Sequence, residues 1–285
     1  MLGIGKDKEQ FTTTIFCTAT GEVLDAQMIF GGKTNVCLPS KGNVPAPAGI
    51  FYDHSETHWQ THGTFARAIE NIVVPYKNAV IARLALPADQ RTMLKMDLHY
   101  SHKVDPVKPT AESRLYKETL NKHYIIPLFV PGACTDEVQE CDTVLNKPFK
   151  GGVKDGFRNY LHGQYDEWKA AGKDPNAWTP LFGMEQLKPR VTSWVEEGLK
   201  RIRTPAMKTA LIDAFKRDGR FAEIRSAVCQ AAAASDLEKA KSVIALEKLF
   251  QQEMTEEEEE DVQELDAGDD EGLELVCEGF AAVVV

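Results

Sequence analysis

The apolar run Met93-Leu94-Lys95-Met96 halts on a carboxylate, Asp97, and no other stretch constrains the fold of this chain as much. So short a run, led by Thr92, predicts a buried strand that delivers an acidic side chain to the end of a sheet. His99 and His102 follow within one loop. They are groups that orient a carboxylate by hydrogen bonds or neutralise the charge of a leaving group. Further along, Gln139-Glu140-Cys141-Asp142 leads into Val144, Leu145, Pro148 and Phe149. That spacing places Asp142 at the start of a helix, where an aspartate is ordinarily an N-cap. Taken singly, each aspartate reads more often as a cap or turn residue than as a metal ligand.

Hydrophobic periodicity fills in the rest. Alternation over Phe11–Thr18 and the run Gln27–Phe30 predict a hairpin turning near Thr20-Gly21, and Tyr124–Phe129 predicts a further buried strand. Phe65, Ile69, Ile72 and Val73 recur at helical spacing behind a Thr61 cap, with Pro75 expected to stop the helix. A helix over Ala111–Leu120 between two strands implies a parallel crossover. Beyond Lys150 the pattern is helical: Trp168 and Trp178 flank a break at Gly172–Pro175, Val191, Trp194, Val195 and Ile202 form one stripe, and Met207, Ala210, Leu211, Ala214 and Phe215 form another. Ser235 and Glu238 form a capping-box signature that opens a helix to Phe250.

Net charge has to be divided before it means anything. Residues 251–285 hold 14 acidic side chains and no lysine or arginine, so the first 250 residues carry +4 within an overall −10. The tail is too acidic to collapse, and Thr255–Gly279 is expected to be disordered, a solubilising segment or a binder of basic partners. Lys150, Lys200, Arg201 and Arg203 lie in the more basic stretch and are candidate contacts for nucleic-acid phosphates, the bland alternative being solvated helix faces. No apolar run is long enough to span a membrane, and the first ten residues lack a signal-peptide pattern, so the chain reads as intracellular. The six cysteines show no CxxC spacing and read as reduced thiols.

Several of these segments together resemble the DDE superfamily endonuclease domain, the transposase-derived family that includes pogo, Tigger and jerky-like proteins. Asp97-x-His99-x-x-His102 resembles that family's second-aspartate motif, and Gln139-x-x-Asp142 with Pro148-Phe149-Lys150 resembles its third. Thr12–Glu22 is similar to the family's second strand and turn, Gln27–Phe30 with Gly31-Gly32-Lys33 to its third strand, Trp59-x-Thr61-x-x-x-Phe65 to the start of its first helix, and Pro131-Gly132 with Thr135 to the approach to the last aspartate. The likeness covers residues 8–160 or so.

The resemblance implies an RNase H-like α/β fold, a mixed sheet flanked by helices, in residues 1–160. A helical extension is expected over 161–250 and the acidic tail over 251–285. It implies DNA as partner, a nuclear location, Mg2+ or Mn2+ as cofactor, and phosphodiester cleavage or strand transfer as the reaction. Asp97 and Asp142 would be the metal ligands and catalytic carboxylates, with His99 and His102 assisting. Homo-oligomerisation is compatible with the sequence.

Three departures qualify this. Glu140-Cys141 replaces the family's usual proline-leucine pair. The 45 residues from Asp97 to Asp142 suggest an insertion around Lys103–Arg114. The family's first aspartate sits on a strand upstream of Thr12–Cys17, and neither Asp7 nor Glu9 stands in its motif, so the chain resembles a core lacking its first strand. Two divalent ions about 3.5–4 Å apart are normally bridged by that aspartate. Two carboxylates hold such a pair poorly, which leaves a non-catalytic nucleic-acid-binding or interaction protein as the alternative.

His54, His58 and His62, at i, i+4 and i+8, are a rival zinc constellation. They straddle the Thr61 cap, so a shared helical face is not expected. No Gly-x-Gly-x-x-Gly, Walker or Gly-x-Ser-x-Gly motif is present.

Overall fold

The alternation of Phe11–Thr18 builds the strand that the architecture is organised around. In a computed structural model, which describes residues 11–39, 46–97, 99–105, 107–130, 139–179, 184–217 and 280–284, β1 (Phe11–Thr18) is buried along its whole length. Successive side chains alternate between faces. Ile15 and Cys17 enter one apolar cluster and Phe16 the other. The chain reverses at Gly21, whose φ of +79° favours glycine, and β2 (Ala26–Gly31) pairs antiparallel with β1, as the hairpin reading requires.

Around this pair lie β3 (Ile50–Ser55), parallel to β2, and β4 (Thr92–Met96), parallel to β5 (Ile125–Phe129). The β4–β5 crossover runs through helix α3 (Ala111–Lys122), capped by Thr110, whose hydroxyl accepts from the Ser113 amide at 3.1 Å. The surprise is β6 (Phe280–Val284), which lies between β1 and β4, parallel to the former and antiparallel to the latter. The order is β3-β2-β1-β6-β4-β5. β6 thus joins the hairpin to the β4–β5 pair in one sheet.

Helices cover both faces. On one, α1 (His62–Ala68) continues through a π-turn at Ile69–Val73 into α2 (Val74–Leu84). Phe65, Ile69 and Ile72 pack there with Leu94, Met96, Tyr116 and Ile125. Thr61 caps α1 in a reciprocal box with Thr64. Pro75 does not end the helix as expected. It stands in the first turn of α2, where a missing N–H costs nothing, because the π-turn has reset the hydrogen-bond ladder before it.

On the other face lie α4 (Asn146–Ala170), α5 (Met184–Ile202) and α6 (Pro205–Arg217). Phe149 and Val153 of α4, Val191, Trp194 and Val195 of α5, and Leu211 and Phe215 of α6 share a cluster with Phe11, Ile15, Met28 and Phe30 of the hairpin. Both expected stripes therefore face the sheet. The axes of α4 and α5 approach closely where a Cβ on Gly152 would come within 2.7 Å of the Gly198 Cα. The boundary expected at residue 160 falls inside α4. Ser235–Phe250, the tail segment Thr255–Gly279 and Pro131, Gly132 and Thr135 lie outside the described residues. Among the described residues no helix is long and apolar enough to cross a membrane.

A strand hydrogen-bonded on both sides cannot lose an N–H cheaply. Ala282 pairs with Cys17 on one side and Lys95 on the other. We expect Ala282→Pro to lower unfolding stability by about 3 kcal/mol or more in urea titration; unchanged stability would mean that β6 is not part of the sheet.

Candidate functional site

Asp97 follows the last residue of β4, so the strand fixes its backbone while its side chain reaches the sheet end. Its Oδ1 lies 2.7 Å from His102 Nδ1 and accepts from the His99 amide at 3.3 Å. His102 is buried, and its Nε2 stands 3.0 Å from Gln60 Oε1. Gln60 Nε2 donates to Thr14 Oγ1 at 2.8 Å, and Oε1 receives the Ser101 hydroxyl at 3.0 Å. Both ring nitrogens of His102 thus face oxygens, Nδ1 towards Asp97 and Nε2 towards Gln60.

The electrostatics follow from this wiring. Burial pushes Asp97 up, but the hydrogen bond and charge of His102, together with the His99 amide, hold it below the ordinary carboxylate range. Burial, with the charge of His102, lowers His99 to about 4 against the opposing pull of Asp97. His99 Nδ1 also meets the Ser101 hydroxyl at 2.7 Å. The loop therefore presents an anionic Asp97 beside a neutral His99 at neutral pH, and both expected histidines are assembled on it.

Asp142 is not an N-cap. It lies within a π-turn, Cys141–Leu145, that feeds α4, and Glu140 precedes the turn without a side-chain capping bond. The carboxylate turns along the helix, and its Oδ1 accepts from Asn146 Nδ2 at 2.7 Å. Two buried contacts hold this turn to the sheet. Lys95 Nζ meets Glu140 Oε1 at 2.8 Å, with side chains only 5% and 2% exposed. Cys141 Sγ lies 3.2 Å from Cys17 Sγ of β1. Lys95 stands two residues before Asp97 and Glu140 two before Asp142, so one ion pair ties the two aspartate-bearing segments together. Glu140 and Cys141, adjacent in sequence, make both ties.

A groove of about 460 Å³ opens at Asp142 and is lined by Asn146, Lys147, Lys150, Gly151 and Lys154 of α4. Lys150 therefore stands beside the second aspartate, with two lysines that the sequence reading did not single out. The other candidate phosphate contacts stand elsewhere and are engaged with neighbours. Arg201 pairs with Asp155 at 2.6 Å, Lys200 with Glu197 at 2.5 Å, and Arg203 donates to the Leu24 carbonyl at 2.6 Å. Arg201 braces α5 against α4 and Arg203 ties its end to the hairpin, while the Lys200 pair lies within α5 itself.

The histidine triad does not assemble. His54 is on β3, His58 has a left-handed φ of 62°, and the His62 ring meets the Lys103 carbonyl at 2.6 Å. Among the described residues no group of three or more His, Cys, Asp and Glu side chains is disposed to hold a metal ion. Two carboxylates, one already bonded by His102, do not fit a bridged pair of divalent ions; a single hard cation needs only one or two carboxylates.

Gln60, Lys95 and Glu140 escaped the sequence reading. Lys95 did leave a signal, because a charge inside a buried apolar run demands a partner. Gln60 left none. No protein-family model matches this chain, and no curated protein or solved structure matches it either.

Removing one partner of a buried ion pair strands the other. Lys95→Met and Glu140→Leu should each destabilise by roughly 3–5 kcal/mol in urea titration, and the double variant should recover most of that loss. The pH dependence has a defined window. The unfolded chain takes up a proton on His99 near pH 6.5 that the folded chain resists until about 4. Stability is thus complete above that window and declines as pH falls through it, with His58, also lowered by burial, adding in the same sense. Depressed Asp97 contributes above the unfolded carboxylate value, and its share is lost as pH falls through its folded value. His99→Gln should flatten the decline within that window in denaturant titrations run across pH.

Proposed function

We propose that this chain is a transposase-derived, DDE-type domain whose ligand is DNA, and that phosphodiester cleavage or strand transfer is the reaction its resemblance implies. One observation carries the proposal. The Lys95–Glu140 ion pair links the strand that leads to Asp97, whose carboxyl His102 holds below the ordinary range, to the turn that carries Asp142, which lines a groove with three lysines. Lys147, Lys150 and Lys154 suit a phosphate backbone, which lysines contact without reading sequence. Asp97 and Asp142 would be the ligands of Mg2+ or Mn2+, His102 and Gln60 would position Asp97, and His99 would stand beside it as a neutral imidazole. A nuclear location belongs to the same reading.

Binding without cutting is the second reading, and the donor set favours it, since no three-ligand group occurs among the described residues. A manganese-dependent nicking assay on supercoiled DNA separates the two. Cutting that Asp97→Ala abolishes supports the nuclease; binding without cutting supports the module; neither binding nor cutting removes both. Where DNA binds, the double variant Lys147→Ala/Lys150→Ala should reduce the salt slope of binding by about two.

A further inference from the structure

We infer that Cys17 and Cys141 form a latent disulfide site, which a hydroperoxide converts into a covalent tie between the central hairpin and the turn that carries Asp142. The geometry is that of a pair. The sulfurs are 3.2 Å apart in a buried contact between residues 124 positions distant in sequence. Closing to a bond length of about 2.05 Å needs a shift of only about 1 Å. One partner is rigid: Cys17 lies in β1, paired with Ala282 of β6 and bridged to Val23. The other can give, because Cys141 opens a π-turn whose wider hydrogen-bond spacing leaves local slack. The Lys95–Glu140 pair holds the same turn from the neighbouring residue, so the sulfurs stay in register.

Either sulfur can react first, with the same product, and one route begins at Cys17. Its sulfur attacks one oxygen of hydrogen peroxide and the O–O bond breaks. The thiol proton leaves with the departing hydroxide as water, and Cys17 becomes a sulfenic acid. The Cys141 sulfur then attacks that sulfur, the S–O bond breaks, and the second hydroxide leaves with the Cys141 proton as water. Two thiols lose two electrons and one peroxide gains them. Because both groups are buried, the reaction waits on local opening and is slow. This inference does not rest on the DNA reading.

The test is intact-mass analysis of the full chain after exposure to hydrogen peroxide. A variant with Cys37, Cys134, Cys229 and Cys277 changed to Ser leaves only the proposed pair. It should become two hydrogens lighter, yield a Cys17–Cys141 cross-linked peptide on non-reducing digestion, and revert with dithiothreitol. Closing so long a loop should also raise its Tm by roughly 5–10 °C. Cys17→Ala in the natural background should give no cross-link to Cys141. Two alkylatable thiols after oxidation and unfolding, or stepwise gain of oxygen without cross-linking, would overturn the inference.

Discussion

A lysine in the middle of a buried strand is tolerable only with a counter-charge, and the Lys95–Glu140 pair meets that demand in a way that determines the rest of the site. An uncompensated ammonium at this depth is costly enough to force a rearrangement. The glutamate that satisfies it comes from a segment 45 residues along the chain. Drawing Glu140 to β4 also brings in Cys141 and Asp142, and α4 then starts from a fixed point on the sheet. The lysines of the first turns of α4 are aimed accordingly.

The second constraint is the sheet itself. β1 and β4 are both buried, and both present backbone groups that need partners. β6 satisfies the two edges at once, with Ala281 opposite Met96, the residue before Asp97. The strand that positions Asp97 and the strand that positions Cys17 are thus joined by a segment from the far end of the sequence. The site is a property of the whole sheet, although its polar residues come from two short stretches.

Elements whose signal is local were legible in the sequence. The hairpin, β4, β5, α3 and the Thr61 cap follow from alternation, helical spacing and hydroxyl capping, and the apolar stripes of α5 and α6 point where periodicity puts them. The failures are also physical. Pro75 breaks a regular helix but not one that has just passed through a π-turn. Asp142 looks like a cap because capping and first-turn positions share a composition. β3 is partly exposed and holds Asp53 and His54, so its pattern is weak. β6 has a strand composition, but its partners are hundreds of residues away. Lys200, Arg201 and Arg203 form a basic cluster in sequence, while in the structure Lys200 pairs within its own helix, Arg201 with α4 and Arg203 with the hairpin.

The central claim is that Asp97 and Asp142 belong to one acidic site rather than to two unrelated element ends. Calorimetric titration of the full chain with Mn2+ tests it most directly, using Asp97→Asn and Asp142→Asn one at a time. One site that each substitution weakens, by roughly tenfold or more, is the predicted result. An affinity that neither change alters, or that only one alters, would contradict it.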